Sequence, residues 1–224
     1  MADDSIGLRP MFSRGDDLPT ATDDADLVVL AVPDEAISTV AQLVKPRDGS
    51  VVAHLSGATS LDALAPHARR ASLHPLVSMT EPDDGAEALR GAWMTVSGDP
   101  MIEQVATALQ GRVLRVAEID RVRYHAAAAI ASNHVVALLG QVERLSKSVG
   151  VPVEAFLALT QTALENTRRL GPAGALTGPV SRGDWRVVRS HLRAIPETER
   201  AAYFLLAQQA ALLAGVVWPP DISL

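Results

Sequence analysis

The sequence predicts an α/β half with a mostly parallel sheet, followed by an all-helical domain. Three observations carry this. Residues 23–37 read DDADLVVLAVPDEAI, an acidic turn, an apolar run over Leu27 to Ala31, a break at Pro33 and a helix start at Asp34; a buried parallel strand feeds a crossover helix in this way. Short apolar runs then alternate with helical stretches as far as Val116, which implies a mostly parallel sheet. Near Glu118 the texture changes to long alanine- and leucine-rich helical patterns. The domains are therefore expected at 1–117 and 118–224.

Each element follows from its residues. Residues 1–22 carry Gly7, Pro10, Gly15 and Pro19 and read as a loose lead-in with at most one short edge strand. After the strand at Leu27, Asp34 caps a helix over about Glu35 to Leu43, which Lys45-Pro46 ends. Ser50 to His54 is the next strand. A short helix near Leu61 to Ala65 leads to a brief strand over Ala71 to Leu73, closed by His74-Pro75. Ala92 to Ser97 and Arg112 to Val116 are further strands, with a helix over Met101 to Leu109 between them. From Glu118 to Val149 no proline interrupts the pattern, and about 30 residues make a helix of roughly 45 Å. Gly150 and Pro152 end it and start another helix through about Arg169. After the loop LGPAGALTGPVSRGD, Asp184 caps a helix from Trp185 to about Ala194, and a last helix spans about Pro196 to Gly215.

Composition narrows the function. The chain of 224 residues is 48% hydrophobic and 21% charged, which makes it globular. Its net charge of -6 argues against general nucleic-acid binding. It contains no cysteine, so disulfides, thiolate metal sites and cysteine nucleophiles are excluded. No apolar run approaches the ~20 residues that span a bilayer, and the polar start MADDSIGLRPMFSRGDD is unlike a signal peptide. A cytoplasmic location is expected, with no nucleic-acid or membrane partner.

Candidate site residues lie at strand ends, because ligands of open parallel sheets sit outside the carboxyl ends of the strands. These ends are Ala31-Val32-Pro33, Ser56-Gly57 and His74. Turn geometry alone accounts for Pro33 and Gly57 as well as ligand contact does, whereas Ser56 and His74 place polar groups where a ligand would lie. On the long helix, His125 and Asn133 are eight residues apart, roughly 80° around the axis. Asn133 is either a polar bond to a neighbouring helix or an amide that holds a substrate oxygen. His125 is either a general acid or base or an exposed ring. Arg182, Arg186, Arg189 and Arg193 recur at helical spacing as a solvated face, an anion site or a subunit contact. No G-x-G-x-x-G, P-loop or G-x-S-x-G occurs, and the six histidines form no metal-ligand spacing, so no metal site is expected.

Taken in order, DADLVVLAVPDEAI, VVAHLSGATSLDALAP, SLHPLVSM, YHAAAAIASNHVVALL and ALTGPVSRGDWRVVRSHL resemble one family. It pairs a Rossmann-like NAD(P)-binding domain with a helical C-terminal domain of unknown function, and is related to ketopantoate reductase, pyrroline-5-carboxylate reductase and the 6-phosphogluconate dehydrogenase group. The resemblance covers about residues 24 to 207. It implies NADP or NAD as cofactor, with Ala31, Val32, Pro33, Ser56 and Gly57 near its ribose and nicotinamide. It also implies a small keto acid or related carbonyl or imine as substrate, Asn133, His125 and His74 as catalytic candidates, and a homodimer formed through the helical domain. Two departures stand out. The glycine-rich loop that opens such domains is lacking, which puts cofactor binding in question. The lysine that relatives often carry four residues before the helix asparagine is Ala129 here. A non-catalytic dimeric module, or a shortened form that does not bind cofactor, is the alternative.

Overall fold

The structure, a computed structural model, describes residues 7, 11–13 and 15–224. By internal contacts the chain divides into Met1–Asn133 and His134–Leu224. The expected boundary at 117/118 marks where the chain leaves the last strand. The helix that follows hydrogen-bonds back to the sheet and so joins the first unit.

In that unit five strands lie in sequence order: β1 (Leu27–Leu30), β2 (Val51–His54), β3 (Arg69–Pro75), β4 (Trp93–Gly98) and β5 (Arg112–Arg115). All neighbours are parallel except β3 and β4. The sheet is thus mostly parallel, as the alternation of elements implies. Between strands come α1 (Ile37–Leu43), α2 (Pro82–Leu89) and α3 (Met101–Ala108), with single turns of 3-10 helix at Leu18–Thr22, Asp34–Ala36 and Leu61–Leu64. The lead-in contributes the first of these turns and no strand among the described residues; the rest of it lies in part outside them.

The side-chain period of two divides the sheet into unlike faces. Val51, Ala53, Ala71, Leu73, Met94 and Val96 pack with Ile102 and Ala106 of α3 into one core. On the other face Leu30 and Val52 pack with Ile37, Ala41, Val44 and Leu64. Toward β3 and β4 this second face turns polar. The residues between Ala71 and Leu73 and beyond it are Ser72 and His74, and those flanking Val96 are Thr95 and Ser97. The antiparallel register sets Ser72 opposite Ser97 and His74 opposite Thr95. That polar patch meets α4 (Arg121–Ala129), which is joined to β5 through a 3-10 turn at Glu118–Asp120.

The expected single long helix carries a π turn at Ile130–His134, after which α5 (Val135–Ser148) begins. The second unit contains α5, α6 (Val153–Ala175), α7 (Trp185–Ala194) and α8 (Glu197–Ala214). Gly171, at φ 72° and ψ 165°, kinks α6 just before Pro172. Asp184 caps α7 by accepting the Val187 N–H, as its position in the sequence predicts. Val180, Val188, Leu192, Ala207, Ala211 and Ile222 form the core of this unit. Among the described residues no helix is long and apolar enough to cross a membrane.

Candidate functional site

Arg121, Tyr124 and His125 stand at i, i+3 and i+4 of α4, so they share one helix face. The polar patch of the sheet determines what that face touches. The Arg121 guanidinium donates to Ser72 Oγ at 2.8 Å, to Ser97 Oγ at 2.5 Å and to the Ser56 carbonyl at 3.4 Å. Its Nε donates to Glu118 at 3.2 Å, and Glu118 also accepts the Leu61 N–H. Arg121 is 7% exposed. A buried cation is tolerated when its donors are spent on partners, and here these come from two strands, the turn after β2 and one carboxylate.

One turn further on, the Tyr124 hydroxyl and His74 Nδ1 are hydrogen-bonded at 2.8 Å, and Thr95 Oγ1 donates to the same hydroxyl at 3.1 Å. The His125 ring meets His74 edge-on, with centroids 5.8 Å apart. Beneath both rings lies Gly57. A Cβ there would come within 2.7 Å of the His74 ring and 2.8 Å of His125, so the position requires glycine for close approach. Burial, and then the neighbouring His125 and Arg121, hold the His74 pKa below its ordinary value, while Asp34 acts in the opposite direction. Burial likewise pushes the Tyr124 phenol up. Both groups are therefore neutral near pH 7.

Ser56 is the knot of the β2 turn. Its hydroxyl donates to Asp34 at 2.6 Å and accepts the N–H groups of Ala58 and Thr59. Its own N–H donates to His54 Nδ1 at 3.2 Å. His54 is fully buried, and its Nε2 is the one buried side-chain polar atom without a hydrogen-bond partner among the described residues. Its pKa is lowered from 6.5 to about 4, first by burial and then by Arg121, with Asp34, Glu118 and the Ser60 backbone opposing.

The sequence-predicted residues separate into those brought together and those left apart. Gly57, His74 and His125 converge, with Ser56 next to them. Ala31 and Pro33 are exposed at the end of β1, and Val32 is half-buried against the second core. Asn133 is exposed in the π turn, where its side-chain oxygen accepts from Ser132 Oγ at 2.9 Å; it bonds neither histidine. In the arginine stripe of α7, Arg189 pairs with Asp221 at 2.6 Å and Arg193 donates to Ser190 Oγ. Sequence reasoning missed Arg121, Tyr124 and Thr95. Their signal was the alternation of hydroxyl-bearing residues with apolar ones in SLH and TVS, which marks a polar sheet face in need of a polar helix.

Fold and site together define a Rossmann-like α/β unit followed by a helical unit. A Rossmann-like domain model matches residues 14–78, and the model of the domain of unknown function DUF2520 matches residues 95–210. The chain belongs to the DUF2520 family. Among solved structures it resembles protein TM1727 from Thermotoga maritima, at 28% identity and TM-score 0.72, over 84% of this chain and 77% of that one. It also resembles BF3122 from Bacteroides fragilis, provisionally termed an NADP oxidoreductase, at 20% identity and TM-score 0.70, over 84% and 76%. Pyrroline carboxylate reductase from Plasmodium falciparum, solved with NADP bound, shares the fold at 10% identity and TM-score 0.53, over 84% and 77%. No curated protein matches the chain significantly.

Proposed function

We propose that the chain is an NAD(P)-dependent oxidoreductase that acts on a small carbonyl or imine compound, a keto acid of the kind taken by ketopantoate reductase being the first to test. The observation that carries this reading is the convergence of two histidines over Gly57, at the strand ends where ligands of such sheets bind. Two of the solved structures with this fold are NADP proteins by name, which supports the choice of cofactor.

The residues present fit the nicotinamide half of such a cofactor. Exposed Ala31 and Pro33, and half-exposed Ala58 and Thr59, form small-residue strand ends that a flat ring can approach without displacing packed side chains. The Ser56 hydroxyl ties these ends together through Asp34 and the N–H groups of Ala58 and Thr59. When bound, a reduced nicotinamide supplies the hydride. The chain's own task is to orient the reacting carbon and to polarise the oxygen or nitrogen attached to it, which falls to His74 and His125. Asn133 offers a neutral amide within the same unit.

The test is a titration with NADPH and NADH, read by nicotinamide fluorescence and thermal stability together. Cofactor at 100 times its dissociation constant is expected to add ~2.7 kcal/mol of stability. A folded chain that shows no shift at millimolar cofactor would refute the reductase reading.

The chain also pairs, in this reading, with a second copy through its helical unit. The 23-residue α6 has no buried residue and exposes Leu157, Leu159, Leu164 and Leu170. Such a surface is more than isolated exposed leucines explain. Light scattering is expected to report a dimer, and Leu159→Glu with Leu164→Glu a folded monomer. A dimer without cofactor binding would favour the alternative, a non-catalytic dimeric module.

A further inference from the structure

We propose that Tyr124, backed by Thr95, is a positioning residue that fixes His74 as a neutral imidazole with its proton on Nε2, so that His74 meets its substrate as a hydrogen-bond donor suited to a neutral carbonyl oxygen. The word substrate rests on the reductase reading; the tautomer does not.

The inference follows from proton counting. Thr95 Oγ1 has a single proton and two acceptors in reach, the Tyr124 hydroxyl at 3.1 Å and the His74 carbonyl at 3.4 Å. The shorter bond takes the proton. The phenol oxygen is then an acceptor toward Thr95, and its own proton goes to His74 Nδ1 at 2.8 Å. This also pairs the more acidic hydroxyl with the better acceptor, a bare imidazole nitrogen. The imidazole proton is left on Nε2. The arrangement is built into the sheet, because the antiparallel register of β3 and β4 sets His74 directly opposite Thr95 on the face that α4 covers.

The charged surroundings keep the ring neutral. Facing His74 are Arg121, Tyr124 and His125 from α4, the neutral Thr95 from β4, and Asp34 from the turn after β1. Asp34 alone favours a cation, and Ser56 already donates to its carboxylate. A protonated His74 would need a proton on Nδ1, and Tyr124 would have to turn its own away. A neutral donor beside a buried guanidinium stabilises negative charge developing on a carbonyl oxygen. The same guanidinium disfavours a substrate that arrives as a cationic iminium. Within the proposed activity this selects carbonyls over imines.

The experiment is a long-range proton–nitrogen correlation on protein labelled with nitrogen-15 histidine at pH 7.5, without cofactor, with His74 assigned by its loss in His74→Gln. The expected pattern is a protonated Nε2 and a bare, hydrogen-bonded Nδ1. In Tyr124→Phe the Nδ1 signal should shift and the tautomers mix. A wild-type His74 protonated on Nδ1, or one that is cationic at this pH, overturns the proposal. So does a Tyr124→Phe spectrum identical to wild type. If Tyr124→Phe does not fold, Thr95→Val removes the upstream donor at nearly constant shape and is held to the same outcomes. A chain that binds no nicotinamide still reports its tautomer, so the two readings fail separately.

Discussion

Replacing Arg121 with alanine is expected to lower the unfolding free energy by about 3 kcal/mol, read as a fall in the urea midpoint. The side chain is buried and its donors are shared among Ser72, Ser97, the Ser56 carbonyl and Glu118. Ser72 and Ser97 can still bond each other at 3.0 Å. The Ser56 carbonyl and the emptied volume have no such relief. A loss below about 0.5 kcal/mol, the usual range for an exposed residue, would show that the guanidinium does not hold α4 to the sheet.

The same substitution should change the response to acid. His54 has its folded pKa lowered from 6.5 to about 4. The unfolded chain therefore takes up a proton near pH 6.5 that the native chain refuses until about pH 4. The stability this represents is fully present above pH 6.5 and is lost as the pH falls toward 4, on the order of 3 kcal/mol in all. His74, shifted the same way by the same kinds of cause, adds to the slope. Removing Arg121 removes one of the depressing charges on both rings, so the variant should lose less on acidification. The window from pH 6.5 to 5 isolates the effect, since most carboxylates titrate below it. A wild-type stability that is flat across that window would contradict the account of His54.

Gly57→Ala is the second large effect. Its new Cβ would lie 2.7 Å from one atom of the His74 ring and 2.8 Å from His125. Neither ring can withdraw freely: His74 is tied to Tyr124, and both rings pack against each other. Overpacking of this kind costs about 1–3 kcal/mol, and here it should also break the bond between His74 and Tyr124. Gly49→Ala is the control, because a Cβ there meets nothing within 4 Å. If the two variants melt together, the glycine at 57 is not holding space for the histidines.

How much of this was legible in the sequence depended on how local each cause is. The five strands were readable because each is an apolar run bounded by turn residues, and α7 was readable from Asp184 to Ala194 because its cap and its periodicity agree. Helix α2 went unread, since Pro82 and Gly85 break its pattern and it has no hydrophobic run. The π turn at Asn133 was also invisible, because IASNH has no breaker and a wider turn leaves no mark on composition. Of the residues that converge, Ser56, Gly57 and His74 were singled out by a rule about strand ends that needs no partner. Arg121, Tyr124 and Thr95 were not, because their roles exist only once β4 runs antiparallel to β3 and α4 returns across them. The domain boundary shifted for the same reason, with the polar contacts of α4 assigning it to the sheet.

Strand β2 is paired on both sides, and all four of its residues, Val51–His54, are buried. Amides in such a strand exchange with solvent only when the whole unit opens. His54 thus keeps its lone ring donor in the part of the chain that breathes least. Local fluctuation, which relieves an awkward polar group on a loop, has no purchase there. The turn that follows β2, where Ser56 and Gly57 lie, is thus anchored on the part of the sheet that opens last.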